Sequence, residues 1–248
     1  MRWLGSIVLC LLLNNIVVAN KPTTEDSLFH YGVLALSEQN YEVAIGLLTQ
    51  EASNNPSFET FYNLSQAYAA QQEWNNAYYS AERALKLAPN DAMAKENVRY
   101  TLSNLNPNIS FQHPYSWLHR FVLMVPSLVW FIVGILASLA LAYFLFILIG
   151  GVKPLNQMGF IWIGLLGLTV IGTYLAGSYS SDQKNKLHFA LAIENNATTY
   201  ARKEGIALNQ VLIQGQRYSI LQESEDWVQL NYPDGQPVWV PKAALLMY

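Results

Sequence analysis

The residue types that carry out catalysis or bind metal ions are sparse in this sequence. No HExxH motif contains any of its histidines, which are His30, His113, His119 and His188. The single cysteine, Cys10, has no partner for an intrachain disulfide or a Cys-rich zinc site. A Gly-rich phosphate loop and a Gly-x-Ser-x-Gly nucleophile elbow are also missing from the sequence. We therefore expect a protein that is not an enzyme, with no catalytic residues, no metal site and no cofactor.

Charge is distributed unevenly along the chain. Of its 248 residues, 52% are hydrophobic and only 12% are charged, which is about half the usual charged fraction. Between Arg120 and Asp182 the only charged residue is Lys153. This pattern predicts a multidomain membrane protein with a membrane-embedded middle and a folded domain on each side. The net charge of −3 argues against nucleic acid as a partner.

Residues 1–19 have the features of a signal peptide. A charged start precedes a short apolar run, and a small-residue pattern that ends at Ala19 predicts cleavage there. An uncleaved anchor is the alternative, and both interpretations send the following segment across the membrane. Lipid modification of Cys10 is a further possibility, which the large side chain of Leu9 disfavours.

Residues 25–105 contain an internal repeat with an offset of 33 residues. The offset pairs Gly32 with Ser65, Tyr41 with Trp74, Ala44 with Ala77, and Pro56 with Pro89. A period of this length is typical of two helices and a turn, so we predict an all-α domain. A third amphipathic helix, Ala92–Leu105, is expected to cover the exposed end of the stack, because each repeat needs a neighbour.

The second copy resembles a tetratricopeptide repeat. It matches the family pattern at Leu64, Ala67, Tyr68, Trp74, Ala77, Ala84 and Pro89. The first copy keeps four of the pattern residues but has Ala35 where a Tyr is usual, and Ser65 replaces the usual Gly in the second.

The resemblance implies a concave groove that is lined by the first helices and binds a protein partner. Its partner-binding positions would be Phe29, Val33, Tyr62, Gln66, Lys95 and Arg99. Phe29 and Tyr62 stand where the family's clamp for C-terminal carboxylates needs Lys and Asn, so that ligand class is not expected. Packing of these aromatic side chains between helices remains the alternative.

Residues 121–179 are predicted to form a two-helix transmembrane hairpin. The segments 128–149 and 159–177 carry no charge, and at about 1.5 Å per residue each is long enough to span the bilayer. The absence of Asp, Glu, Arg and His from both argues against a pump or carrier, and a transporter subunit would need a partner that supplies polar membrane residues. Stripes of small residues predict close helix packing, at Gly134, Ser138 and Ala142 and at Gly172 and Ala176.

The signal peptide predicts on which side of the membrane each domain lies. A crossing N-terminus places the repeats outside, Lys153 in the cytoplasm and the C-terminal domain outside as well. The cations at the outer ends, Arg120, Lys184 and Lys186, argue the other way under the positive-inside rule. For the topology we give the signal peptide more weight than these three scattered cations.

Residues 187–248 have the alternating pattern of β-strands at 217–223, 227–232 and 238–240. Asp234-Gly235 between the last two is a hairpin turn pair. The segment 218–245 resembles a bacterial SH3-like domain, a small all-β barrel. The resemblance implies that exposed aromatic residues bind an extended peptide or a cell-wall fragment, with Trp227 and Trp239 as candidates. The alternative is that both tryptophans fill the core of the barrel.

The order of leader, repeats, two spans and SH3-like barrel resembles the BatE-type proteins associated with bacterial aerotolerance operons. That resemblance implies partners, namely membrane-anchored von Willebrand factor A domain proteins and a MoxR-type ATPase system. It also implies a location in the bacterial inner membrane, with both domains on the periplasmic side. We therefore expect a membrane-anchored adaptor or scaffold, and a peptidoglycan-binding envelope sensor is the alternative.

Overall fold

The computed structural model describes residues 24–149, 157–185 and 188–248. The predicted signal peptide, Cys10 and Lys153 lie outside these residues. The described part of the chain contains eight α-helices and a seven-stranded antiparallel sheet. The expectation of a helical part combined with an all-β part is therefore confirmed at this level.

The N-terminal helices form a two-layer stack that repeats along the chain. They are α1 (Thr24–Ser37), α2 (Tyr41–Asn54), α3 (Phe58–Ala70), α4 (Trp74–Leu87) and α5 (Ala92–Leu105). Consecutive helices pack against each other, and α3 also contacts both α1 and α5 within one layer. Gln39 and Gln72, which are one repeat apart, both adopt a φ of 61° in the turns that follow α1 and α3. The repeat in the sequence is thus a repeat of backbone conformation.

Local signals in the sequence set the ends of these helices. The side chain of Ser57 accepts a hydrogen bond from the Thr60 backbone N–H at 3.1 Å and caps α3. Asp91 caps α5 in the same way, through the Ala94 N–H at 2.9 Å. The helices α2 and α4 end shortly before Pro56 and Pro89, because a proline cannot continue a helix.

One position shows how the two copies keep the same packing with different residues. At Gly32 a Cβ atom would lie 2.8 Å from Cγ of Leu48, so no side chain fits there. In the second copy the equivalent residues are Ser65 and Ala81. The smaller Ala81 leaves room for Ser65, whose buried Oγ donates a hydrogen bond to the Ala77 carbonyl on α4 at 2.8 Å.

The middle of the chain contains a short helix, α6 (Trp117–Met124), and two long ones, α7 (Ser127–Ile149) and α8 (Gln157–Asn185). Among the described residues, the stretches Ser127–Leu148 and Met158–Asp182 are long and apolar enough to cross a membrane. Only 6% and 11% of their most apolar windows are buried within the protein. This exposure distinguishes them from core helices of a soluble domain. The helix α8 extends to Asn185, beyond the predicted end of the span at residue 177, and its last turns contain polar residues.

The two long helices pack as antiparallel neighbours through small residues. A Cβ at Gly134 would lie 2.9 Å from Oγ1 of Thr173, and one at Gly177 would lie 3.2 Å from the ring of Phe131. Gly172 has open space beside it. The contact stripe on α8 therefore runs through Thr173 and Gly177, one residue beyond the predicted pair of Gly172 and Ala176.

The C-terminal sheet is curved around a single core. Its strands are β1 (Phe189–Ala192), β2 (Ala197–Tyr200), β3 (Ala207–Leu212), β4 (Arg217–Glu223), β5 (Trp227–Asn231), β6 (Pro237–Pro241) and β7 (Leu245–Met247), in the order β3-β2-β6-β5-β4-β1-β7. Leu212 and Leu245 come from the two edge strands and meet in one buried cluster. The predicted turn at Asp234-Gly235 joins β5 and β6, and Gly235 adopts the positive φ of 83° that the turn requires.

Candidate functional site

The predicted repeat groove lies on the layer formed by α1, α3 and α5. Phe29 and Tyr62 are half-buried and pack against the buried cluster of the first copy, and Val33 is also half-buried. The Tyr62 ring lies 5.7 Å from the ring of Phe58 on the same helix. Both aromatic side chains therefore contribute to packing and keep part of their surface accessible to a ligand.

The polar groove positions are partly engaged by neighbours. The Gln66 side chain donates a hydrogen bond from Nε2 to Oδ1 of Asn97 at 2.9 Å and links α3 to α5. Arg99 is exposed, forms an ion pair with Glu96 at 3.1 Å, and stands 5.3 Å from the ring centroid of Phe111. Lys95 is half-buried. The groove thus offers cationic and aromatic surface with one amide already used within the fold.

The two predicted tryptophans lie on the outer face of the sheet. Val228 and Leu230 on β5, and Val238 and Val240 on β6, point into the core and are fully buried. Because side chains alternate along a strand, Trp227 and Trp239 point away from that core, and both are half-buried. The core is aliphatic at these strands, and neither tryptophan belongs to it.

A third aromatic side chain joins this outer face. Tyr200 on β2 pairs with Trp239 on β6, and its ring meets that of Trp227 edge-on at 5.2 Å. The ammonium group of Lys203 lies 4.6 Å from the ring centroid of Trp239. Tyr200 also lines a cleft of about 400 Å³, together with Thr198 and Pro241. We call Tyr200, Trp227 and Trp239 the aromatic face.

The helical stack and the sheet meet in a junction that sequence reasoning did not anticipate. Apolar side chains of α4 and α5 form one buried cluster with Leu191 of β1 and with Tyr248. Gly215 in the turn between β3 and β4 adopts a φ of 83°, and a Cβ there would lie 3.0 Å from Cδ1 of Leu102. The sheet therefore contacts α5 at a position where only a glycine fits easily.

A buried ion pair lies within this junction. Arg217 on β4 donates hydrogen bonds to Glu82 on α4, from Nη2 to Oε1 at 2.5 Å and from Nε to Oε2 at 3.3 Å. The Tyr248 hydroxyl donates to Oε2 of Glu82 at 2.7 Å and accepts from Nε of Arg217 at 2.9 Å. Nη1 of Arg217 donates to the Gln112 carbonyl at 3.1 Å, so the linker that follows α5 is held as well. Glu82 is 1% exposed.

The electrostatics of the junction favour one protonation state. Burial raises the pKa of Tyr248 and of Tyr78 well above the ordinary value, and the Glu82 carboxylate adds to the effect. Burial lowers the pKa of Arg217, but the adjacent Glu82 carboxylate outweighs this effect, so that the pKa stays above its ordinary value. At pH 7 a charged pair with neutral phenols therefore connects the two parts.

Further hydrogen bonds extend the junction around the ion pair. The Tyr79 hydroxyl donates to the Met247 carbonyl at 3.0 Å. Asn106 donates from Nδ2 to the Gln214 carbonyl at 2.8 Å, and Gln214 donates from Nε2 to Oδ1 of Asn75 at 2.9 Å. The sequence signal for part of the junction is that Tyr79 and Glu82 on α4 replace Gly46 and Thr49 of the first copy.

The described residues contain no group of three or more His, Cys, Asp or Glu side chains that could hold a metal ion. Three surfaces described above are candidates for a functional site: the groove, the aromatic face and the junction. Comparison of the chain with protein-family models, with curated proteins and with solved structures found no match.

Proposed function

We propose that the protein is a non-enzymatic adaptor, anchored in a membrane by α7 and α8, that holds two ligands in a fixed spatial relation. The observation that carries this proposal is the junction. The buried ion pair of Glu82 and Arg217 connects the helical stack, which carries the groove, to the sheet, which carries the aromatic face. Because removing two charges from water is costly, such a pair is favourable only in a well-defined geometry. A fixed distance between two binding surfaces is what a scaffold requires.

In this proposal the helical stack is a tetratricopeptide repeat domain and the sheet is an SH3-like domain. The repeated turn conformation at Gln39 and Gln72 supports the first assignment. The hairpin at Asp234-Gly235 and the strongly curved sheet support the second.

The order of these modules supports a further assignment to the BatE-type proteins of aerotolerance systems. The partners would then be membrane-anchored von Willebrand factor A domain proteins and a MoxR-type ATPase system. Both soluble parts would lie on the periplasmic side of the bacterial inner membrane. An alkaline phosphatase fused after Tyr248 should be active, and activity only of a cytoplasmic reporter at that position would contradict the topology.

Affinity capture tests the groove. The full chain in detergent is mixed with a purified von Willebrand factor A domain protein from the same membrane. We expect Tyr62→Ala with Lys95→Ala to weaken binding about ten-fold or more, because truncating a central contact costs about 1–2 kcal/mol. The matched control, Val43→Ala with Gln50→Ala on exposed positions of α2, should bind as the natural chain does. Equal binding by both variants would rule out the groove as the docking surface.

The aromatic face favours a second candidate, a sensor that binds the cell wall. Three half-buried rings, of which Tyr200 also lines a cleft of about 400 Å³, form a surface suited to a saccharide or peptide chain. Sedimentation of the full chain with purified peptidoglycan separates the two candidates, because the adaptor proposal predicts that the chain stays in solution. Trp227→Ala with Trp239→Ala should abolish sedimentation by a sensor, whereas Ile206→Ala on an exposed loop should not.

A further inference from the structure

The short helix α6 presents an apolar face that no described part of the chain covers. Trp117, Leu118, Phe121 and Met124 are exposed to 73%, 51%, 53% and 65%. Residues at spacings of three and four lie on the same side of a helix, so these side chains form a single surface. Large apolar groups of a water-soluble surface are not normally gathered in this way.

The opposite side of α6 is fixed to the rest of the protein. The Asn90 side chain donates a hydrogen bond to the Arg120 carbonyl at 3.0 Å, and the His119 ring stacks on Tyr179 of α8 at 4.9 Å. The Trp130 indole donates to the Val122 carbonyl at 3.2 Å. The orientation of the apolar face is therefore set by contacts with the helical stack and with both long helices.

The exposed face continues directly into the apolar surface of the hairpin. Only Val125 and Pro126 separate α6 from α7, and Val125 is extended, with a ψ of 127°, as expected before a proline. The chain therefore turns where α6 ends. Phe121 contacts Trp130, four residues into α7, with ring centroids 6.3 Å apart. The surface of α6 and that of α7 are thus adjacent and share an aromatic contact.

From this geometry we infer that α6 lies in the interface of a lipid bilayer, with its apolar face at the boundary between headgroups and acyl chains. This inference rests on the proposed anchoring of α7 and α8 in the membrane. Tryptophan is enriched at that depth, and amphipathic helices bury their apolar side there by about 5–10 Å. Lipid is the occupant because the face is continuous with the surface that the spans present to lipid.

This placement positions the soluble part relative to the membrane. Asn90 belongs to the turn between α4 and α5, and Nε2 of His113 forms a hydrogen bond of 2.8 Å with the Pro89 carbonyl in the same turn. The turn is therefore held next to the bilayer surface. Because the junction joins the sheet to α4 and α5, the aromatic face is held at a fixed height as well.

Spin labels in phospholipid nanodiscs test the inference on the full chain. In a Cys10→Ser background, single labels replace Phe121 on α6, Leu136 on α7 and Tyr31 on α1, whose side chains are exposed to 53%, 61% and 57%. Oxygen concentrates in lipid and a nickel chelate stays in water. We expect the oxygen-to-nickel accessibility ratio at Phe121 to be several-fold above that at Tyr31 and below that at Leu136.

The three positions separate the possible failures. If the label at Leu136 gives the same ratio as the label at Tyr31, the membrane anchoring and the proposed function fail together. If Leu136 is in lipid but Phe121 matches Tyr31, the inference about α6 fails alone. Low accessibility to both reagents at Phe121 would mean that another protein surface covers α6 and would also overturn it. Trp117→Cys provides a second label should the Phe121 variant not fold.

Discussion

The two copies of the repeat have the same backbone and different surroundings. Both contain a second helix of 14 residues, α2 and α4, and the turns before these helices share the same positive φ. On α4, Tyr78 and Glu82 are buried against the sheet, whereas their counterparts on α2 are the half-buried Ile45 and the exposed Thr49. Tyr79, which donates to the sheet, corresponds to Gly46.

This difference indicates that the residues that pack the two helices of a repeat are not the same as the residues that form hydrogen bonds with the sheet. Small residues such as Ala44 and Ala77, both fully buried, maintain the contact between helices in each copy. Tyr79 and Glu82, which form hydrogen bonds with the sheet, are additional to these small residues. The first copy could therefore acquire a docking surface, and the second could lose one, without a change of fold.

The largest effect is expected from breaking the ion pair of the second copy. Glu82→Gln leaves the Arg217 guanidinium buried without a counter-charge, which costs about 3 kcal/mol or more. The sheet should then separate from α4 more often. Hydrogen exchange of the full chain in detergent would show faster exchange of amides in β1 and α4, with the hairpin unchanged.

Two control variants sharpen this result. Thr49→Val alters the equivalent exposed position of the first copy and should leave exchange unchanged. Glu82→Met combined with Arg217→Met removes both charges, and such apolar replacements of buried pairs are often neutral or stabilising. If the amides of β1 and α4 exchange as slowly in the Glu82→Gln variant as in the natural chain, the ion pair does not hold the junction together.

The helices of the repeats and of the hairpin, and three of the seven strands, could be predicted because their signals are local. The short helix α6 and the strands β1, β2, β3 and β7 were not predicted. The period of 33 residues and the apolar pattern predicted α5 at Ala92–Leu105 and β4 at residues 217–223, which agree with the structure. The junction could not be predicted, because Glu82 and Arg217 are 135 positions apart and neither belongs to a motif. The signal that could have indicated it is a large or charged residue of one copy without an equivalent in the other, such as Tyr79 and Glu82 against Gly46 and Thr49.

The candidate binding residues were only partly accessible to the same reasoning. The groove positions came from a resemblance, and their exposure depends on how α1, α3 and α5 approach each other. For the tryptophans, the alternation of Trp227 and Trp239 with fully buried valines would have placed both on the outer face. The participation of Tyr200 depends on the pairing of β2 with β6, which connects segments far apart in the sequence.

The next effect tests whether the copies are equivalent in their packing. Gly32→Ser introduces a Cβ that would lie 2.8 Å from Leu48, and overpacking of this kind costs about 1–3 kcal/mol. Leu48→Ala in the same chain recreates the Ser65 and Ala81 pair of the second copy. In that background the additional cost of Gly32→Ser should disappear. A cost that stays the same in both backgrounds, measured by denaturant unfolding, would show that the clash is not with Leu48.

A smaller loss is expected from Ser65→Ala. The variant removes the buried hydrogen bond from Oγ to the Ala77 carbonyl, which contributes about 1 kcal/mol. Ser37→Ala on α1 removes a bond of 2.7 Å to the Leu34 carbonyl that is exposed to water, so its effect should be close to zero. Equal effects of the two substitutions on the free energy of unfolding would contradict the assigned role of Ser65.

The smallest effect is a dependence on pH that only the second copy has. Lys86, whose counterpart in the first copy is Ser53, has a pKa lowered to about 8, first by burial and then by the charge of Arg83. In the unfolded chain its pKa is about 10.4. Between these values the unfolded chain binds more protons, so the free energy of unfolding should rise as the pH increases above 8.

Lys86→Gln should remove this rise, which is less than about 1 kcal/mol because the side chain is partly exposed. The comparison belongs between pH 8 and 9.5, since Tyr78 and Tyr248 are held neutral by burial and their unfolded forms begin to ionise near pH 10, which lowers stability. Both chains contain these tyrosines, so the difference between their pH profiles reports Lys86 alone. Parallel profiles would mean that the lysine is solvated as fully in the folded protein as in the unfolded chain, and that this face of α4 is no different from that of α2.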